Sequence, residues 1–341
     1  MMRLLLSTIG LLASALLCSA GAGPTLLFEA DSGKVLYSEN MDDQWHPASL
    51  TKMMTAYIAF QEIKAGRVTL ETEIPCTELA FKEPPSKVGL PVGAKLKMDT
   101  ALKALIVKSA NDVAVMIAEA LGPTHDRFVE RMNATAAKLG MTRTHFTNPN
   151  GLPDKAQVTT ARDLAKLARA ITTQFPEHAH YWSLPSFQLG KIRLASHNGL
   201  LQTFDGADGL KTGFICDSGF NVVASATRDG RKLMAVVLGE PSGADRTVRA
   251  ASLLEHGFRQ WSWKQLFNSD TIDNVPRDSS ARDVRSVRHT VTSWSCGDRK
   301  TATRLRAAKQ RVKRREAKKA EKKDKKSAAK TTTAAKPAEA N

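Results

Sequence analysis

The chain has 341 residues, 42% of them apolar, which is enough for one large or two ordinary domains with a sizeable core. Its formal charge of +16 is uneven: residues 301–341 hold 15 Lys and Arg against 4 Asp and Glu, leaving +5 for the remainder. Length and composition therefore permit an enzyme, and they exclude a strongly basic body, because the excess charge is confined to the C-terminal segment.

In chain order, Arg3, the apolar run 4–17 and the small residues Ser19, Ala20, Gly21 and Ala22 read as a secretory signal peptide over residues 1–22. Cleavage is expected after Ala22, with Ala20 as the alternative. The run is shorter than the ~20 residues of a spanning helix. Leu17 before Cys18 is a poor fit to a lipid-attachment site. No later stretch is long and apolar enough to span a bilayer, so the remainder is expected outside the cytoplasm, soluble or peripherally held.

Residues 26–30 and 35–37 flank Asp31-Ser32-Gly33-Lys34 as a strand hairpin. Pro47-Ala48-Ser49-Leu50-Thr51-Lys52 then opens a helix, in which Leu50, Met53, Met54, Tyr57 and Ile58 recur with the spacing of one apolar face and Gly66 marks the end. Three helical residues make nearly a full turn, so the Ser49 hydroxyl and the Lys52 amine lie on one face. That is a nucleophile beside a candidate base.

Residues 100–121 are helical with an interruption at 108–112, where Ser109-Ala110-Asn111 stands, and 125–139 form another helix. Asn148-Pro149-Asn150-Gly151-Leu152 is a loop by composition, and 160–171 are helical again. Then come three short apolar strands, 209–215, 220–226 and 232–238, the last two joined by a turn at 227–231. Residues 246–258 make a closing helix. The expected class is a mixed α/β domain whose N-terminal hairpin joins an antiparallel sheet, over residues 23–267. Apolar residues thin out beyond Phe267, so 268–298 read as a linker and 299–341 as a basic tail unable to bury enough surface to order itself.

After the signal segment Cys76, Cys216 and Cys296 remain, an odd number without close spacing, which suggests neither a disulfide framework nor a metal site. One pair can bridge in an oxidising compartment; three separate thiols are the alternative. No cofactor or metal is expected.

Alone, Ser-x-x-Lys or Ser-x-Asn arises by chance roughly once in such a chain, and Lys-Thr-Gly in roughly one chain of ten. Order and context carry more weight. Ala48-Ser49-Leu50-Thr51-Lys52-Met53, Lys108-Ser109-Ala110-Asn111-Asp112, Asn148 to Leu152 and Asp208-Gly209-Leu210-Lys211-Thr212-Gly213-Phe214 closely resemble, in this order, the serine D-alanyl-D-alanine carboxypeptidases, the low-molecular-mass penicillin-binding proteins. The likeness runs from about Leu26 to Phe258. It implies the penicillin-binding/β-lactamase-like fold, with a five-stranded antiparallel sheet flanked by helices and a helical subdomain. It also implies action on peptidoglycan stem peptides in the bacterial periplasm or cell envelope, and β-lactams as covalent inhibitors.

The resemblance assigns roles. Ser49 attacks the carbonyl between the terminal D-alanines, and Lys52 is its base, with a lowered proton affinity. Ser109 relays a proton to the leaving amine, and Asn111 holds the substrate backbone or Lys52. Lys211 supplies positive charge, Thr212 binds the substrate carboxylate, Gly213 lets the peptide approach the strand, and the amides of Ser49 and Phe214 form the oxyanion hole. Arg246, with Arg249 as competitor, recognises the free carboxylate. Asn150 is as much a turn residue as a catalytic one, and His197, preceded by Ser196 where the family has Asn, reads as structural.

Endopeptidase action on cross-links cleaves the same kind of bond and stays open. A β-lactamase is disfavoured, since Glu119, Glu130 and Glu177, the glutamates between the second and third motifs, lack an Asn four residues on. The rival outside enzymology is an anchoring protein, its basic tail on anionic envelope polymers or lipid headgroups. Nucleic acid is not expected, because the chain carries an export signal and the tail has no aromatic for base stacking.

Overall fold

A computed structural model of the chain describes residues 23–259, 269–293 and 296. The expected signal segment 1–22 and the expected tail 299–341 lie outside the described residues.

Strands β1 (Thr25–Glu29) and β2 (Val35–Glu39) form the expected hairpin, with Gly33 at φ +73° in its turn. One tight turn, Ala48–Thr51, leads into α1 (Lys52–Lys64). Next come β3 (Glu73–Pro75), α2 (Glu78–Lys82), β4 (Lys95–Lys97) and α3 (Met98–Lys103). After a wider turn, Ala104–Lys108, the helical path breaks at Ser109 and resumes as α4 (Asn111–Leu121), then α5 (His125–Lys138) and α6 (Ala161–Gln174). The short α7 (His180–Ser183), β5 (Ser186–Leu189), β6 (Ile192–Ala195) and α8 (Leu200–Thr203) precede the main strands. These are β7 (Ala207–Ile215), β8 (Gly219–Arg228) and β9 (Arg231–Glu240), followed by α9 (Gly243–Arg259).

The five-stranded antiparallel sheet runs β2-β1-β9-β8-β7, so the N-terminal hairpin does join the later strands and β7 forms one edge. The β8–β9 turn is Asp229-Gly230, both at positive φ, the twist a two-residue hairpin needs. Side chains alternate across the sheet. Leu27, Val222, Ala224, Ala235 and Val237 meet Ala250 and Leu254 of α9 on one face, while Leu26, Phe28, Val223, Met234 and Val236 join the main core on the other. One correction concerns α1. Instead of a single apolar face, every residue from Lys52 to Phe60 is buried, because the helix lies among α4, α5, α6 and the turn 104–108.

A second correction concerns residues 269–293, read from sequence as linker. They form a strap along the domain. Val35 N donates to Asp270 O at 2.9 Å, Ile272 N to Gly33 O at 2.9 Å, Gln44 N to Arg282 O at 2.9 Å and Val287 N to Asp217 O at 2.9 Å. Ile272 is fully buried, and Val287 and Val291 nearly so. Arg162, itself buried, pairs with Asp42 through Nε at 2.7 Å and Nη2 at 2.8 Å, and donates to the carbonyls of Ile272, Val275 and Pro276 at 2.8–3.2 Å. The cysteine question is settled too: Cys216 and Cys296, 80 residues apart, form a disulfide, and Cys76 is a buried free thiol.

Candidate active site

The sharp bend before α1 presents Ser49. Ala48 takes φ +48°, unusual for a residue with a side chain, and two glycines allow the surroundings to close on it. A Cβ on Gly151 would fall 1.9 Å from Ala48 O, and one on Gly213 would fall 2.9 Å from Pro47 O and 3.2 Å from Ser49 N. The role of Gly213 is thus more than expected: it lets β7 itself lie against the serine turn.

Lys52, wholly buried, donates to Ser49 Oγ at 3.1 Å, to Asn111 Oδ1 at 2.7 Å and to the carbonyl of Asn150. Burial drives its proton affinity well below the usual amine value and the nearby Lys211 adds to this, against opposing pulls from Glu83 and Asp112. Asn111 is fixed in turn by donating to Pro84 O at 2.9 Å.

Lys211 on β7 donates to Ser109 Oγ at 2.9 Å and Thr212 O at 2.9 Å. Burial, then the charge of Arg246, pushes it down to about 7. Ser109 sits in the left-handed region at φ +62°, which turns its hydroxyl out of the helical path toward Lys211. Arg246, in the first turns of α9, is buried and donates to His197 O at 2.8 Å. Its competitor Arg249 is engaged elsewhere, with Thr25 Oγ1 at 3.2 Å and Glu39 Oε2 at 2.8 Å.

These groups converge on a cleft of about 700 Å³ beside the β7 edge, lined by Ser49, Ser109, Asn111, Thr212, Gly213, Phe214 and Arg246 among others. Lys52 and Lys211 stand just behind it, reaching Ser49 and Ser109. His197, read from sequence as structural, also faces the cleft; burial, then Lys211, Lys108 and Arg246, holds its ring near 4, so it is neutral. The structural member of that pair is Asn198, which donates to Gly209 O at 3.0 Å.

Asn150 combines both readings: its side chain bonds Leu152 N at 3.1 Å and Glu83 Oε2 at 3.0 Å, while its carbonyl receives Lys52. Sequence reasoning missed Glu83, whose carboxyl burial pushes up, and it missed Asp217 and Arg288 at the cleft mouth. None of the three lies in a recognisable motif. Among the described residues no group of His, Cys, Asp and Glu is placed to hold a metal ion.

A buried amine of low proton affinity beside a hydroxyl, with the cations Lys211 and Arg246 at the same sheet-edge cleft, can support nucleophilic attack on a carbonyl whose substrate carries a terminal carboxylate. The sheet, the helical block and the serine–lysine turn together define the penicillin-binding class of fold. The model of the D-alanyl-D-alanine carboxypeptidase family, peptidase S11, matches residues 13–242, and the chain belongs to that family.

The D-alanyl-D-alanine carboxypeptidase DacA of Haemophilus influenzae is 36% identical over 239 residues, 68% of this chain and 61% of that protein. DacC of Escherichia coli is 34% identical over 248 residues, 71% of this chain and 62% of that protein. The matched part thus spans less than two thirds of the length of these relatives. Among solved structures, penicillin binding protein 6B from Escherichia coli superposes with TM-score 0.67 at 36% identity, covering 70% of this chain and 77% of that one. Penicillin-Binding Protein D2 from Listeria monocytogenes, in its cefotaxime-bound form, gives 0.64 at 29% identity, covering 70% and 97%.

Proposed function

We propose that the protein is a serine-type D-alanyl-D-alanine carboxypeptidase that removes the terminal D-alanine from peptidoglycan stem pentapeptides, and that β-lactams acylate the same serine. The observation that carries this is the fully buried Lys52 amine 3.1 Å from Ser49 Oγ, with Lys211 behind the same cleft on Ser109 and Arg246 lining it. The names of the relatives and the cefotaxime-bound Listeria structure support it.

Lys52, as the neutral amine, takes the Ser49 proton while Oγ attacks the carbonyl between the two D-alanines. The amides of Ser49 and Phe214 receive the oxyanion, and Thr212, Lys211 and Arg246 receive the terminal carboxylate. As the C–N bond breaks, the proton that Lys52 took from Ser49 is relayed through Ser109, held by Lys211, to the departing amine, which leaves Lys52 neutral and Ser109 protonated again. D-alanine leaves, and water hydrolyses the ester on Ser49.

Mass spectrometry after incubation with benzylpenicillin is expected to show a penicilloyl adduct on Ser49 and none in Ser49→Ala. Incubation with pentapeptide muropeptides should release one alanine. A folded protein that gives neither adduct nor release overturns the proposal, and rapid hydrolysis of benzylpenicillin would redirect it to a β-lactamase.

The signal-like residues 1–22 support export. The charge of residues 299–341 supports a hold on anionic envelope polymers or lipid headgroups. Removing those residues should then abolish any salt-releasable envelope fraction, and an unchanged, salt-insensitive distribution would dispose of that role.

A further inference from the structure

Edge strand β7 sets the direction in which a peptide must lie. A substrate paired antiparallel to it, with its terminal carboxylate at Thr212 and Arg246, runs its acyl side past Phe214 toward Cys216 and Asp217. At ~3.3 Å per residue, Cys216 lies roughly 13 Å along the strand from Thr212, within reach of a side chain on the third residue from the peptide's end.

The strap meets the cleft at that end. The disulfide joins Cys216 to Cys296, Val287 N donates to Asp217 O at 2.9 Å, and Ser286 Oγ donates to the Asp217 carboxylate at 2.6 Å. Arg288 belongs to the same strap and lines the cleft. Its Nη2 and Nε meet Asp217 at 3.1 Å and 3.4 Å, and its Nη1 donates to Cys296 O at 3.1 Å. Three of the five guanidinium donors are thus engaged by the described residues, which leaves two. Its side chain is 53% exposed, so those donors are within reach of a ligand in the cleft.

We propose that the strap forms the acyl-side wall of the substrate groove and that Arg288, held in place by Asp217 and the disulfide, is a specificity-determining residue that receives a carboxylate carried on the acyl side of the peptide. The inference rests on the carboxypeptidase reading above.

Two tripeptide probes ending in D-Ala-D-Ala test it, both built on an acylated lysine, one with the lysine side chain capped by succinyl, which carries a carboxylate, and one capped by neutral acetyl. The intact protein is expected to prefer the succinyl peptide in kcat/KM by about 10- to 100-fold, the usual worth of a charge-assisted contact. In Arg288→Ala that ratio should fall to about one, and Arg288→Lys should keep part of it. Cys296→Ser, which removes the strap's covalent tie to β7, should lower the ratio as well. Equal turnover of the two probes by the unmodified protein, or a ratio that survives Arg288→Ala, overturns the inference alone. No turnover of either probe, with no penicilloyl adduct, overturns it together with the functional reading.

Discussion

Replacing Lys52 by arginine is expected to leave a folded protein whose Ser49 is acylated by penicillin about 10³-fold more slowly, within the range that a positioned base supplies. The arginine can still donate to Ser49 Oγ, Asn111 Oδ1 and Asn150 O, the three groups that Lys52 now contacts, but it cannot shed its proton. Lys52→Met removes the buried amine altogether and should be equally inert, so misfolding of one variant does not decide the matter. Stopped-flow acylation with thermal denaturation as the control measures both, and an active Lys52→Arg enzyme would contradict the assigned base.

The pH profile carries the same logic. Acylation should rise as Lys52, held well below the ordinary amine value, loses its proton, and kcat/KM should fall above about pH 7 as Lys211 loses its own. Because the charge of Arg246 is one of the two causes that hold Lys211 down, Arg246→Gln should raise the Lys211 value and move the descending limb to higher pH. A limb that stays in place assigns it to another group.

Arg162→Ala should have the largest effect on stability, a loss of about 3–5 kcal/mol. The substitution leaves the buried Asp42 carboxylate without its bidentate partner and removes a donor from the carbonyls of Ile272, Val275 and Pro276. Burial pushes the Asp42 carboxyl up, but bonding to Arg162 and to Asp278 N more than offsets it and holds the group below its ordinary value. A depressed folded value means that this contribution is present above the unfolded value and is lost as pH falls through the folded one. Urea denaturation of the variant should therefore show both the loss near neutral pH and a weaker decline on acidification. A change of less than about 1 kcal/mol at pH 7 would show that the clamp contributes little beyond its desolvation cost.

What sequence made legible was local. The Ser49–Lys52 spacing, the break at Ser109, the turn within 227–231 and the apolar runs of β7 to β9 each depend on a few neighbouring residues, and the structure places all of them, narrowing the turn to Asp229-Gly230. The catalytic assembly needed more, because Asn111 and Asn150 meet Lys52 from 59 and 98 residues away; the likeness of whole motifs offered Asn111 as a partner of Lys52 and left Asn150 between a turn and a catalytic role.

The strap was illegible for a physical reason. It is held by backbone hydrogen bonds, Arg162, Arg282 and a disulfide, with few apolar residues such as Ile272 and Val291, so the hydrophobic pattern that reveals a core says little about it. The all-round burial of α1 escaped for the opposite reason. Polar Thr55 is buried among apolar neighbours because its hydroxyl finds Pro149 O at 2.7 Å, a partner that periodicity cannot show.

The Cys216–Cys296 bond also dates the cleft. Its second cysteine comes 80 residues after the first, so strand β7 and α9 are complete in the growing chain before the bond can close. Closure further requires an oxidising surrounding, since a reducing cell interior keeps both thiols separate. The groove wall that carries Arg288 is therefore a late product of maturation. A chain held back in a reducing compartment would contain Ser49, Lys52 and Lys211 while that wall still lacked its covalent tie.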